Sequence, residues 1–410
     1  MTDLRVSPHV ARLRCSKSGV EVPLASLRKA PGLCSCCPAP GKPLLVEYEP
    51  GAVRAAWQPP AARETGLFRF GAGLPVTGLP ASYAADVGNT PTLFHAGLSR
   101  ELELEVFIKN EAQNPTGSFK DRGLALGIAL GAAFGARRFC LPTQGNAGVA
   151  AAFFSSRLGL PPAVVYMPEG YQGSIYHRAC SHFGGEVVFA GANIAGAGQA
   201  MRAALAEPLA GGECVDISTF FEPGRLEGKK TMGFEIAEAF PGSELPGAIF
   251  YPTGGGTGLV GIWKALNELR GWGVADAAHT QLPRLIAVQS SRCAPVVNAF
   301  RAGASEVTPV TSQGTIADGL DVPGAIMGHA MLDAVRASNG FAAAVEEPDI
   351  ERAFQDFGRH GIGAGYESAA TLAALRDARR SNTIAAGSKV LLLLTGTHLI
   401  PLARRGQGGE

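Results

Sequence analysis

From Gly88 onward, short apolar runs alternate with helix-length periodic segments, and this alternation decides the fold class. Strand candidates are Glu105–Lys109, Phe139–Pro142, Ala163–Met167, Glu186–Phe189, Cys214–Ile217, Ala248–Tyr251, Arg284–Gln289 and Lys389–Leu394. Between them lie helical patterns at Gly123–Ala136, Ala147–Leu158, Gly228–Phe240, Leu259–Arg270, Ile350–His360 and Ser368–Arg379. Strands this short and apolar need cover on both faces, and a helix between consecutive strands supplies it. The pattern therefore predicts an α/β protein with mainly parallel twisted sheets built from βαβ units. No internal repeat is visible.

A chain of 410 residues can build two domains, each with its own core. Formal net charge is +1, so neither nucleic acid nor an anionic membrane is expected as a partner. Met1–Val10 has no apolar signal-peptide core, and the longest uncharged runs stop short of the ~18 residues a membrane span needs. A cytoplasmic enzyme acting on a small molecule is the expectation. Half of the 8 cysteines, Cys15, Cys34, Cys36 and Cys37, lie in the N-terminal arm. Cys15-x-x-Ser18-Gly19 followed by Cys34-x-x-Cys37 looks like a zinc ribbon with one thiolate replaced by serine. Zinc prefers four N or S ligands in a closed site, and serine is a poor substitute. Cys36 or His9 could supply the fourth ligand, but adjacent Cys36 and Cys37 make awkward geometry. The arm is read as a relic cap without metal. Pro50–Pro80, rich in Pro, Gly and Ala, reads as an extended arm holding no regular element.

Two stretches carry a chemical signal. Asn114-Pro-Thr-Gly-Ser-Phe-Lys-Asp-Arg122 joins a strand to a charge-free helix, and Ser118 with Asp121 resembles a capping box. Lys120 then stands in the first helical turn, where the positive end of the helix dipole favours the neutral amine. A neutral, partly desolvated lysine is what imine chemistry needs; a capped helix with a surface charge cluster is the plainer alternative. Thr253-Gly-Gly-Gly-Thr-Gly258 joins the strand Ala248–Tyr251 to a helix with Leu259, Ile262, Trp263, Leu266 and Leu269 on one face. Its glycines let backbone amides crowd an anion at the helix N-terminus. Gly256–Gly261 also satisfies GxGxxG, but the next strand ends Ala287-Val-Gln-Ser290 with no carboxylate to hold a ribose. No Lys-Ser or Lys-Thr follows the glycines, so a Walker loop fails too. A phosphate cup at Gly254, Gly255, Gly256, Thr257 and Gly258 remains, beside a plain glycine turn.

These stretches, with Gln144-Gly-Asn-Ala-Gly148, Leu394-Thr-Gly-Thr397 and Arg225-Leu-Glu-Gly-Lys-Lys-Thr231, resemble threonine synthases and their fold type II pyridoxal-phosphate (PLP) relatives in the same order. The resemblance runs from about Arg14 to Thr397. It implies that Lys120 forms the imine with PLP, that Gly254–Gly258 binds its phosphate, that Asn146 hydrogen-bonds its 3′-oxygen and that Thr395 meets the pyridine nitrogen. A hydroxyl there makes the ring a moderate electron sink, suited to elimination or replacement at the β or γ carbon. The loop Thr143, Gln144, Gly145 and Ala147 stands where the family binds the substrate carboxylate, and Arg225 is a plausible anion fork. Glu367, which opens a helix, is a further candidate to face the cofactor. From the family also come a homodimer and the division into an arm (1–45), a large cofactor domain (46–125 and 226–410) and a small mobile domain (126–225). Several threonine synthase-like proteins carry a ribbon, with CxxCG twice, where this chain has its cysteine arm.

The chain departs from threonine synthases around the substrate phosphate. Ala147 replaces a threonine, Thr219 and Phe220 replace an Asn-Ser pair, Tyr176 or His177 replaces a lysine, and Gln144 is bulkier than expected. Threonine synthase is the leading expectation. β-Replacement on an activated serine (cysteate synthase-like) and amino-acid dehydration come next, and a catalytically silent PLP or amino-acid binder is the non-enzyme alternative.

Overall fold

The computed structural model describes residues 3–26, 32–58 and 65–405. They form two compact units, one of residues 1–89, 120–231 and 271–274, the other of residues 90–119, 232–270 and 275–410. The division expected from the resemblance, with breaks at 45, 125 and 225, is a different partition and remains a proposal.

The second unit is built on a six-stranded sheet in the order Phe341–Val345, Arg284–Ser290, Ala248–Pro252, Lys389–Leu394, Glu105–Asn110, Thr92–Phe94. Its first five strands are parallel, with Glu105 opposite Lys389 and Asn110 opposite Leu394 at the two ends of one ladder. Only the edge strand Thr92–Phe94 runs antiparallel. The apolar strands are buried, and Leu98, Ile350, Phe354, Phe357 and the helix Tyr366–Arg380 pack with them in one core. The loops after Asn110, Pro252 and Leu394 therefore leave the C-terminal ends of three neighbouring parallel strands, where open α/β sheets bind ligands.

The first unit holds a four-stranded, wholly parallel sheet in the order Glu186–Phe189, Val164–Met167, Arg138–Pro142, Cys214–Asp216. The helices Lys120–Ala133 and Asn146–Arg157 pack against each other. The loops after Pro142 and Asp216 leave adjacent strand ends. Two smaller sheets accompany it. Glu21–Pro23, Val10–Cys15 and Leu44–Tyr48 form an antiparallel three-stranded sheet, and Arg5–Val6 pairs with Val76–Thr77.

The stretch from Pro50 to Pro80 is not the irregular arm expected. Pro50–Ala56 is a helix with proline at its first position, where a missing amide costs nothing, and Leu67–Gly73 is a 3₁₀ segment. Trp57, Phe70 and Trp272 gather there, with Trp57 at 6.1 Å from Phe70 and 5.7 Å from Trp272 between ring centroids. Aromatic burial fixes a segment whose composition alone gave no period. Among the described residues, no helix is long and apolar enough to cross a membrane.

Candidate cofactor site

In the second unit the glycine loop is a cradle without room for side chains. A Cβ on Gly254 would overlap the Gly319 carbonyl oxygen, one on Gly256 the Met331 sulfur, and one on Gly258 the Tyr251 hydroxyl. Gly256 also has φ +76°, a region only glycine enters without strain. The helix Thr257–Trp272 starts at this loop, so its first amides are directed at whatever the cradle holds. The Tyr251 hydroxyl is buried and has no hydrogen-bond partner among the described residues. Burial, with Glu111 adding to it, pushes this phenol well above its ordinary range and keeps it a donor. An orphaned donor beside Gly258, in the first turn of this glycine-flanked helix, fits a bound phosphate ester.

Two further contacts shape the cradle. The Gly319 amide donates to Glu367 Oε1 at 2.9 Å, so Glu367 fixes the residue whose carbonyl lies over Gly254. Thr253 Oγ1 donates to Tyr251 O (2.9 Å), and Gln289 Nε2 donates to Thr253 O (3.1 Å). Gln289 Oε1 accepts from the Val296 and Val297 amides (2.9 and 3.1 Å). Thus Gln289, where a dinucleotide fold would place its ribose carboxylate, holds the loop and the start of the helix Pro295–Arg301.

The two motifs farthest apart in sequence lie side by side. The Phe119 amide donates to Thr395 O at 3.0 Å, the Thr397 amide to Gly117 O at 3.1 Å, and Ser118 bridges Gly396. Thr395 is buried at the end of its strand, its amide donating to Ser368 Oγ at 3.0 Å. The ring of Phe119 stands edge-on to Tyr251 at 6.3 Å. Behind the motif, Asn114 Nδ2 donates to Glu111 Oε2 (2.9 Å), and Lys109 Nζ, fully buried, donates to Glu235 Oε2 (2.8 Å) and to Thr90.

In the first unit Lys120 is half-buried and opens the helix Lys120–Ala133, as expected. Gly145 precedes the helix Asn146–Arg157, its amide donating to Thr143 Oγ1 at 3.1 Å. Gln144, Gly145, Asn146 and Ala147 are all partly exposed, so the loop can meet a ligand. A Cβ on Gly145 would come to 3.2 Å from the Tyr176 ring, so Tyr176 packs against the loop. His177 instead accepts from the Gly173 amide through Nδ1 at 3.0 Å.

Arg225 is buried in the first turn of the helix Gly224–Glu238. Its Nη1 donates to Ile217 O at 2.6 Å, while its Nε has no partner among the described residues. Burial lowers its pKa, with Glu222 and Asp216 opposing. Nearby Phe220, almost fully buried, has φ +66°, an outlier for a bulky residue. Such strain clusters at ligand-binding positions. Glu222 was not singled out from the sequence. It accepts from the Arg225 amide at 2.9 Å, and burial raises its carboxyl to about 7. A carboxylate two residues before a helix was a readable capping signal.

The cysteine arm differs from expectation at Cys36. The sulfurs of Cys15, Cys34, Cys36 and Cys37 all lie within 4.8 Å of one another, and Cys36 is 3.2 Å from Ser18 Oγ. Cys36 thus comes to the place of the missing thiolate, despite its adjacency to Cys37. The Ser18 amide donates to Cys15 Sγ at 3.4 Å and the Lys42 amide to Cys34 Sγ at 3.2 Å. Four thiols so placed could hold a tetrahedral metal ion.

A family profile described as "Pyridoxal-phosphate dependent enzyme" matches residues 83–396. Threonine synthase of Methanocaldococcus jannaschii is 28% identical over 355 residues, covering 86% of this chain and 85% of that one. Threonine synthase of Methanosarcina acetivorans is 30% identical over 315 residues, covering 76% and 75%. Among solved structures, the processed form of threonine deaminase isoform 2 from Solanum lycopersicum matches with a TM-score of 0.64 at 20% identity, covering 78% of this chain and 88% of that one, a likeness of fold.

Proposed function

The chain belongs to the pyridoxal-phosphate dependent enzyme family, and on that premise we propose that it converts O-phosphohomoserine and water to threonine and phosphate. Support for elimination or replacement comes from Thr395, a buried hydroxyl residue at the end of its strand, which the resemblance puts opposite the ring nitrogen. PLP, when bound, supplies the electron sink that makes protons at Cα and beyond acidic; opposite a hydroxyl rather than a carboxylate, the sink is moderate.

The residues take the following roles. Lys120 provides the amine that holds the cofactor and then, freed, takes the proton from Cα of the substrate. Gly254, Gly255, Gly256, Thr257 and Gly258 bind the cofactor phosphate through backbone amides, with Tyr251 as an additional donor and Glu367 as a brace through Gly319. Asn146 orients the ring through its 3′-oxygen. Thr143, Gln144, Gly145 and Ala147 receive the substrate carboxylate. Arg225, with its unpaired Nε, binds the anionic leaving group. A homodimer and a cytoplasmic location complete the reading.

A second reading has its own support. By the resemblance, Ala147, Phe220 and either Tyr176 or His177 stand where threonine synthases hold the substrate phosphate with polar groups, and Tyr176 and Phe220 are buried. A dianion stripped of water needs several charge-assisted donors, each worth roughly 1.5–3 kcal/mol. The alternative is replacement at Cβ of an activated serine, or dehydration of a hydroxy amino acid.

Purified protein should show a visible imine band that borohydride abolishes, with the reduced cofactor mapped to Lys120, and K120A should lose turnover. Incubation with O-phosphohomoserine should release threonine and phosphate in equal amounts. Phosphate without threonine, or neither product, would move the assignment to the second reading; protein that stays colourless with added PLP would leave the silent binder.

A further inference from the structure

The helix Gly224–Glu238 is gripped from behind by the N-terminal arm. Tyr48, the last residue of the arm strand Leu44–Tyr48, donates its hydroxyl to Glu227 Oε2 at 2.6 Å. The same carboxylate oxygen meets Lys230 Nζ at 2.6 Å. Lys230 Nζ stands over two aromatic faces, 4.1 Å from the centroid of the Tyr48 ring and 5.4 Å from that of Trp272. Those two rings meet edge-on at 5.6 Å. Glu227 and Lys230 are fully buried, and Tyr48 nearly so.

The walls of this box are themselves braced. Tyr48 lies opposite Val10 in the arm sheet. The Trp272 carbonyl accepts from Arg54 Nε at 2.5 Å, and its ring lies 5.7 Å from that of Trp57. A Cβ on Gly73 would come to 3.0 Å from the Trp272 ring, so the 3₁₀ segment Leu67–Gly73 backs it. Hydroxyl, carboxylate and ammonium thus meet away from water, where charge-assisted contacts are stronger than at a surface. The aromatic faces add a desolvated cation–π contact.

The clasp decides which way the helix faces. Successive residues of an α-helix turn by about 100°, so Glu227 lies about 200° around the axis from Arg225 and Lys230 about 140°. The clasped pair therefore points away from the side that carries Arg225. The crossing helix Lys120–Ala133 fixes another direction: Arg122 Nη1 donates to Thr231 Oγ1 at 2.9 Å, and a Cβ on Gly228 would overlap Arg122 O. Arg225 is left facing the Ile217 carbonyl, to which its Nη1 donates at 2.6 Å.

We propose that Tyr48 is a positioning residue for Arg225: its hydroxyl, acting through Glu227 and Lys230, sets the roll of this helix and so the aim of the guanidinium. The inference rests on Arg225 binding the leaving-group anion. The arm is then part of the anion site and more than a cap. Tyr48 lies outside residues 83–396, the span of the family profile.

The test is titration calorimetry of PLP-loaded, full-length protein with inorganic phosphate, which reads Arg225 without turnover. Y48F keeps the ring over Lys230 and removes only the hydroxyl. It should bind phosphate about tenfold more weakly, with the imine band and PLP affinity as in wild type. R225M should lose at least as much, and Y48F added to R225M should cost nothing further, because the hydroxyl acts through the guanidinium. With O-phosphohomoserine, Y48F should raise KM about tenfold and leave kcat within about twofold. Phosphate affinity in Y48F equal to wild type would overturn the proposal. Additive losses in Y48F/R225M would do the same, marking Tyr48 as a general support. Wild-type protein that binds no phosphate, or R225M that binds it as well as wild type, would defeat the Arg225 reading and the proposal with it. Absence of threonine formation would defeat the reaction assignment alone, since the phosphate titration still decides the role of Tyr48.

Discussion

Replacing Lys109 by methionine should destabilise the second unit by about 3–5 kcal/mol, the usual result of breaking a buried ion pair by removing one partner. Lys109 Nζ donates to Glu235 Oε2 at 2.8 Å, to Thr90 Oγ1 at 2.9 Å and to Thr90 O at 3.1 Å, with Glu111 Oε1 at 3.8 Å. Both carboxylates are buried, so methionine removes a cation that faces them while filling nearly the same volume. The loss corresponds to roughly a thousandfold in the folded-to-unfolded ratio. Guanidinium denaturation followed by far-UV circular dichroism would show it as a lowered midpoint. K109M/E235Q should lose less than the two single variants added together, because the double change removes a charge of each sign. Glu111 also fixes Asn114, so K109M should weaken PLP binding as well. An unchanged midpoint in K109M would refute the claim that this cluster supports the lysine motif.

Three other changes probe separate parts of the protein. Gly256→Ala puts a methyl group onto the Met331 sulfur at φ +76°, and should weaken PLP binding at least about tenfold, measured by fluorescence titration; wild-type affinity would rule out the cradle. Burial raises Glu222 from 4.5 to about 7, so its folded form holds a proton that the unfolded chain has lost over that interval. Relative to E222Q, this carboxyl contributes stability that is fully present below about pH 4.5 and lost as pH rises through about 7, amounting to roughly 3 kcal/mol. Wild-type protein should therefore lose unfolding midpoint between pH 5 and 8 more steeply than E222Q; parallel curves would contradict it. In the cysteine arm, one equivalent of zinc should be found by elemental analysis and released by chelator, with C36S binding more weakly. Four freely titrating thiols and no metal would show that the cluster is a reduced cap.

Much of this architecture was legible because apolar runs in a parallel sheet have few alternatives. Glu186–Phe189 and Lys389–Leu394 have the boundaries the sequence predicts, and the other predicted strands differ by a residue at one end or the other. Phe341–Val345 escaped notice because Phe-Ala-Ala-Ala-Val has a helix former's composition. It is a strand because Ile286–Ser290 offers it a parallel edge. The arm strand Val10–Cys15 was hidden by its two arginines, Arg12 and Arg14, both of which reach Glu47 across the sheet. The motifs were legible as separate turns. Their convergence was not, because the pairing of Ser118 with Gly396 and the brace from Glu367 to Gly319 are tertiary facts with no local signal.

The charged run from Arg225 to Thr231 was the least legible of all. Read alone it suits a solvated surface as well as an anion site, yet Arg225, Glu227, Lys229 and Lys230 are all buried. The signal that would have settled it lies elsewhere, in Gly123 and Gly127 on one helix and Gly224 and Gly228 on the other, each pair four residues apart. Glycine inside a helix costs about 1 kcal/mol relative to alanine, so such spacing needs a compensating gain. Here the gain is backbone approach: with alanine at 228 the Arg122 carbonyl would have to move, and the helices would separate. Separation would admit water to the fully buried Lys229 and relieve the desolvation that holds its ammonium well below the ordinary range. Gly228→Ala should therefore shift the acetylation curve of Lys229 toward that of an ordinary lysine, and an unchanged curve would refute the tie between helix approach and the burial of this amine.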